Sequence, residues 1–166
     1  MADSGAIAVR PEAPGDGPQV RRIVEAAFGR AVEADLVEAL RRDGDLPISL
    51  VAWADGASVG YVGLPRMRSP DRSLALAPVA VSPEWQGRGV GHALINAGLE
   101  AARMSGAAII FVLGEPQYYR RFGFTTEAAT AYPCVFSGPY FMALKLSPDA
   151  PEPGLARFAQ PFDGLA

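Results

Sequence analysis

The hexapeptide Gln86-Gly87-Arg88-Gly89-Val90-Gly91 constrains this chain most, because of what flanks it. Residues 74–81 form a short alternating apolar run, the pattern of a strand. Ser82-Pro83 ends that run, since proline cannot donate to a sheet ladder. Past the glycines, Val90, Leu94, Ala97, Ala101 and Met104 recur at steps of four and three, the spacing of one apolar helix face. The order is strand, glycine-rich turn, helix. A helix N-terminus offers unpaired N–H groups and a partial positive charge, and glycines let an anion come close to them. The stretch reads as a phosphate cradle.

Spacing separates one cradle from another. A Walker A loop needs a lysine after its last glycine, and the only lysine in the chain is Lys145. The dinucleotide fingerprint accommodates Gly87 and Gly89 but then requires glycine where His92 stands. The spacing Gln-x-x-Gly-x-Gly, from Gln86 to Gly91, resembles the acyl-CoA pyrophosphate loop of the GCN5-related N-acetyltransferase (GNAT) family.

Bulk properties narrow the classes. At 166 residues the chain is expected to be a single domain, spanning residues 1–166, with a sizeable core. A net charge of −3 gives no general attraction to nucleic acid or to an anionic membrane, so an anionic cofactor must be held by local donors. Cys134 is the sole cysteine and His92 the sole histidine. Internal disulfides, a zinc site and a His-based triad therefore lack parts, and no metal is expected. No apolar run approaches a membrane span and the N-terminus lacks a signal-peptide core, which points to a cytoplasmic enzyme.

Residues 7–10 alternate and predict a first strand. Residues 11–18 are a Pro/Gly turn, with Asp16 as helix N-cap and Pro18 in the first turn. Val20, Ile23, Val24, Ala27 and Phe28 mark an amphipathic helix stopping near Gly29, and residues 33–42 predict a second, ending near Gly44. Residues 48–54 and 58–64 are β-rich runs joined by Asp55-Gly56, a hairpin signal. Residues 65–73 read as a basic loop. Residues 108–113 are an unbroken apolar run suited to a buried parallel strand, and Pro116 opens a short helix ending at Gly123. Residues 140–146 are the last strand, and Phe158 and Phe162 anchor a proline-rich tail.

Tyr118-Tyr119-Arg120-Arg121-Phe122-Gly123-Phe124 resembles a second GNAT motif, in which a tyrosine on a short helix stands four residues before Gly-Phe. Here that tyrosine is Tyr119. Val112 occupies the position where many members carry asparagine, and the run VLGEPQYYRRFGF looks like the bacterial YhbS-like subgroup. The resemblance covers about residues 74–124. It implies an α/β fold built on a mixed β-sheet whose central parallel strands splay apart, flanked by helices. It further implies acetyl-CoA as cosubstrate, with Val79 and Val81 offering backbone groups to the pantetheine arm. The N–H groups at Gly87, Arg88, Gly89, Gly91 and His92 would then face the pyrophosphate, and an N–H near Val81 would polarise the thioester carbonyl.

Acyl transfer to an amine needs a neutral amine, a polarised carbonyl and a protonated leaving thiolate. A phenol can protonate a thiolate at modest cost, which makes Tyr119 the candidate acid. Tyr118 reads as core. A primary amine must first lose a proton, and Glu115 and Glu33 are both open as its acceptor. Arg120 and Arg121 read as solvated charges and Cys134 as inert packing. The resemblance thus implies an N-acetyltransferase acting on a small-molecule or protein amine, with no nucleic acid or membrane partner and with a homodimer open. The alternative is a non-catalytic acyl-CoA sensor or partner-binding domain of the same fold.

Overall fold

The computed structural model describes residues 6–165. The chain runs β1 (Ala8–Pro11), α1 (Gly17–Phe28), α2 (Val32–Arg42), β2 (Ile48–Ala54), β3 (Ala57–Leu64), β4 (Ser73–Ala75), β5 (Val79–Val81), α3 (Val90–Met104), β6 (Ile109–Leu113), α4 (Pro116–Tyr119) and β7 (Phe141–Lys145). It packs as two compact units, one of the residues up to Leu64 with Pro78–Glu100, the other of Pro65–Ala77 with the chain from Ala101 onward. Among the described residues, no helix is long and apolar enough to cross a membrane.

The first unit holds an antiparallel sheet in the order β1-β2-β3-β5. The hairpin joining β2 to β3 turns on Asp55 (φ 52°) and Gly56 (φ 75°), both left-handed, as a two-residue connection that follows strand twist requires. One face is covered by α1 and α2, whose Val20, Ile23, Val24, Ala34 and Val37 pack against Val51, Tyr61 and Ala80. The other face receives α3 at Gly60: a Cβ there would stand 2.7 Å from Val90 Cγ1 and 2.9 Å from Leu94 Cδ1. Only a residue without a side chain lets the helix seat at that depth.

The second unit is a three-stranded mixed sheet, β4-β6-β7, with β4 parallel and β7 antiparallel to β6. Its core is aromatic. Phe111 and Phe141 stack at 5.4 Å and Tyr132 meets Phe111 edge-on at 5.5 Å. Phe158 and Phe162 are buried as expected, and Arg68 fastens that tail by donating to the Phe158 carbonyl and pairing with Asp163.

Four expectations need correction. Residues 74–81 do not form one strand: β4 pairs with β6 and β5 pairs with β3, in different sheets. Leu76 donates its N–H to Phe111, whereas Pro78, which has no N–H, accepts from Gly63, so the run breaks between two ladders. The buried face of α3 is Val90, Leu94, Ile95, Leu99 and Ala102, while Met104 is 82% exposed. The contact position is Gly98, packed under Leu64, and a glycine is invisible to a count of apolar side chains. Asp16 does not cap α1. Its φ/ψ of −78°/−11° is already helical rather than extended, and its carboxylate accepts from Ala13 N–H instead. Tyr118 is half-buried rather than core, between the rings of Tyr119 and Phe122 with Arg121 over its face.

Candidate active site

In the first unit the chain passes from β5 through a turn of 3-10 helix, Pro83–Trp85, into the glycine loop and α3. In an antiparallel ladder, alternate residues direct both backbone groups to the partner strand. Ser82 N–H donates to the Val59 carbonyl, and Gly63 N–H donates to the Pro78 carbonyl. By that alternation Ala80 also faces β3, and the backbone groups of Val79 and Val81 turn away from it. This is the orientation an added extended segment needs. One group is already used: the Val81 carbonyl accepts from Gln86 Nε2 at 3.1 Å. Of Val81, the N–H is the group with no such side-chain partner, which refines the expectation drawn from sequence.

Gly87 and Gly89 have φ of +76° and +86°, a conformation that L side chains rarely adopt. A Cβ built on either meets no atom within 4 Å, so the loop borders open space rather than packed protein. Ala93 N–H returns to the Gly89 carbonyl at 3.0 Å, the first bond of the α3 ladder. The N–H groups of Val90 and Gly91 precede that ladder and belong to the turn where helix donors lack intrahelical partners, and His92 follows them in the same turn. Two left-handed glycines, open space and a fifteen-residue helix starting at Val90 fit an anion such as a pyrophosphate. Gly87, Arg88, Gly89, Gly91 and His92 are thus brought together on one loop and first turn, with Val79 and Val81 directly upstream.

Arg88 is exposed, and its guanidinium lies over the Trp85 ring at 4.9 Å. Stacking on an aromatic face limits where the side chain can go without neutralising it. Trp85 carries no motif signal of its own, and only its place three residues before an arginine hints at the contact. A separate cleft of about 430 Å³ lies beside α1 and the β2–β3 hairpin, lined in part by Gln19, Arg22, Trp53, Ser58 and Ser82. No residue of the glycine loop lines it.

In the second unit, α4 and the following 3-10 turn, Arg120–Phe122, carry Tyr119 and end at Gly123. Glu115 stands at the helix start, where its main-chain carbonyl accepts from the N–H groups of Tyr118 and Tyr119. Its side chain is exposed and makes no capping bond. The Tyr119 ring meets Tyr118 edge-on at 5.1 Å and Phe124 at 5.9 Å. Burial, and secondarily Tyr118, push its hydroxyl up to about 12, so it holds its proton throughout the neutral range. The hydroxyl thus keeps a proton to donate, at a higher cost than for a free phenol.

Glu33, the other carboxylate considered from sequence, is held by both forks of Arg30, which lowers its pKa and makes it a weaker proton acceptor. Val112, where many family members have asparagine, is buried in β6. Cys134 is partly buried; burial raises its thiol pKa, and its sulfur accepts from Phe136 N–H.

Comparison with known proteins bears on the family and the fold. Residues 47–126 match the family described as Acetyltransferase (GNAT) domain. The uncharacterised N-acetyltransferase YjhQ of Escherichia coli (strain K12) is 40% identical over 75% of this chain and 73% of its own length. The uncharacterised N-acetyltransferase YhbS of the same strain is 34% identical over 86% of this chain and 89% of its own. Among solved structures, YhbS from Escherichia coli in complex with CoA superposes with a TM-score of 0.86 at 30% identity, covering 95% of this chain and 92% of that one. A GNAT family acetyltransferase from Brucella melitensis in complex with acetyl-CoA gives 0.82 at 34% identity, covering 96% and 99%.

Proposed function

Because the chain belongs to the GNAT family of N-acetyltransferases, we propose that it transfers the acetyl group of acetyl-CoA to a primary amine of a small molecule or a protein. The observation that carries the reading is the glycine loop at the start of α3, left-handed at Gly87 and Gly89 and bordering open space. Relatives solved with CoA or acetyl-CoA support the choice of cosubstrate. When bound, acetyl-CoA supplies an activated acyl group on a thioester.

The residues divide the work by chemistry. Gly87, Arg88, Gly89, Gly91 and His92 hold the pyrophosphate through main-chain donors and the positive end of α3. Val79 and the Val81 N–H bind the pantetheine arm as an added strand would. The Val81 N–H also faces the negative charge that grows on the carbonyl oxygen during attack. Glu115 accepts the proton that the amine must lose, and Tyr119 donates one to the departing sulfur. A C–N bond forms, a C–S bond breaks, and the two proton transfers leave an amide and a thiol.

We take residues 1–166 as one N-acetyltransferase domain, a reading supported by the span of the structural matches, and as acting in the cytoplasm, a reading drawn from the sequence. The direct test is thiol release from acetyl-CoA in the presence of a panel of small amines and N-terminal peptides. Amine-dependent release by the wild type, abolished in Gly89→Glu, is the expected result. Binding of acetyl-CoA without turnover against every amine class would overturn the reading as an enzyme.

A further inference from the structure

We infer that Gly114 is a positioning residue for Tyr119, holding its ring where the hydroxyl can deliver a proton. The inference rests on the acid role proposed for Tyr119. Gly114 follows β6 directly, and its N–H donates to the Tyr140 carbonyl at 3.0 Å, which anchors it to the start of β7. Its φ lies outside the left-handed region, so the backbone itself would accept an L side chain here. The need for glycine is a need for space. A Cβ on Gly114 would stand 2.4 Å from Tyr119 Cε2, 3.0 Å from Cδ2 and 3.4 Å from Cζ.

The ring is flanked on two sides and tethered at its backbone. Tyr118 and Phe124 pack on it edge-on, and the Tyr119 N–H is tied to the Glu115 carbonyl. A methyl group at position 114 therefore moves the ring by rotation or tilt, and the hydroxyl at its far end moves with it. Gly114 has no side chain of its own to offer a substrate. It acts through the ring alone.

The test is a pair of double-mutant cycles on the full chain. In the first, Gly114→Ala should lower kcat by about 10²-fold, the scale of a misplaced reacting group. Calorimetric affinity for CoA should stay within twofold. In a Tyr119→Phe background, already slowed by loss of the hydroxyl, Gly114→Ala should change kcat less than twofold. In the second cycle, Gly114→Ala should lower the melting temperature of the wild type but not that of Tyr119→Ala, where the clashing ring is gone.

Normal kcat in Gly114→Ala beside a slow Tyr119→Phe would overturn the positioning role and leave the acid role standing. Full activity in Tyr119→Phe would instead overturn the acid role, and Gly114 with it. If Gly114→Ala fails to fold, recovery of the fold in Gly114→Ala/Tyr119→Ala still assigns the effect to the ring, and failure of that double variant refutes it.

Discussion

The side-chain amide of Gln86 donates from Nε2 to the main-chain carbonyl of Val81 at 3.1 Å, tying the glycine loop to the last residue of β5. The glutamine of the motif thus has a structural task distinct from that of the glycines. It closes the loop over five residues and fixes the distance between the strand end and the helix start.

Removing that tether should loosen the loop without unfolding the unit. Gln86→Ala is expected to weaken CoA binding by roughly threefold to tenfold, the scale of one exposed hydrogen bond. Gln86→Glu should do worse, since a carboxylate cannot donate to the carbonyl and adds negative charge beside the phosphate site. Calorimetry on both variants checks this, and equal affinity for Gln86→Glu and the wild type would mean that the loop holds its own shape.

Gly89 tests the loop from the other side. Gly89→Ala at φ +86° should cost about 1–2 kcal/mol in stability from backbone strain alone, as no atom opposes the new methyl. Gly89→Glu should share that cost and also lose CoA binding beyond detection, because a carboxylate would enter the positive end of α3. Thermal melts separate the strain from calorimetric affinity. If Gly89→Glu bound CoA normally, the phosphate site would lie elsewhere.

Gly60 supports the loop at a distance by letting α3 seat on the sheet. Gly60→Ala would press a methyl onto Val90 and Leu94 and is expected to destabilise the protein by about 1–3 kcal/mol. A urea titration measures it. Unchanged stability would show that α3 can shift outward without loss.

Tyr119 also predicts a pH dependence. Burial, with a smaller contribution from Tyr118, raises its folded-state value from 10.0 to about 12. Between those values the unfolded chain has released the proton while the native state still binds it, so stability falls as pH rises. The contribution is complete below pH 10 and gone above about 12, and about two units correspond to roughly 2–3 kcal/mol. Tyr61 is raised in the same direction by burial while sharing a hydrogen bond with Ser49 Oγ, and it adds to the alkaline loss. Tyr119→Phe should therefore flatten the stability profile between pH 10 and 12 and leave Tyr61's share. The same retained proton predicts that turnover attributable to Tyr119 persists past pH 10, the value at which an exposed phenol would fail.

Local chemistry was enough for the sequence to determine the hairpin, the first two helices and the motif. Alternation and Asp55-Gly56 specify the hairpin, apolar periodicity specifies α1 and α2, and the glycine spacing marks where an anion can meet a helix start. Each of these depends on residues near in the chain. What only the tertiary structure decided depends on partners far apart. The run 74–81 splits because Leu76 and Pro78 bond into different sheets, and no local pattern records which ladder a backbone group will join. The buried face of α3 is set by Gly60 and Gly98, which admit the helix and Leu64 by having no side chain. Gly114 belongs to the same class: its role lies in the space that the Tyr119 ring occupies, and space between side chains exists only once the chain has folded.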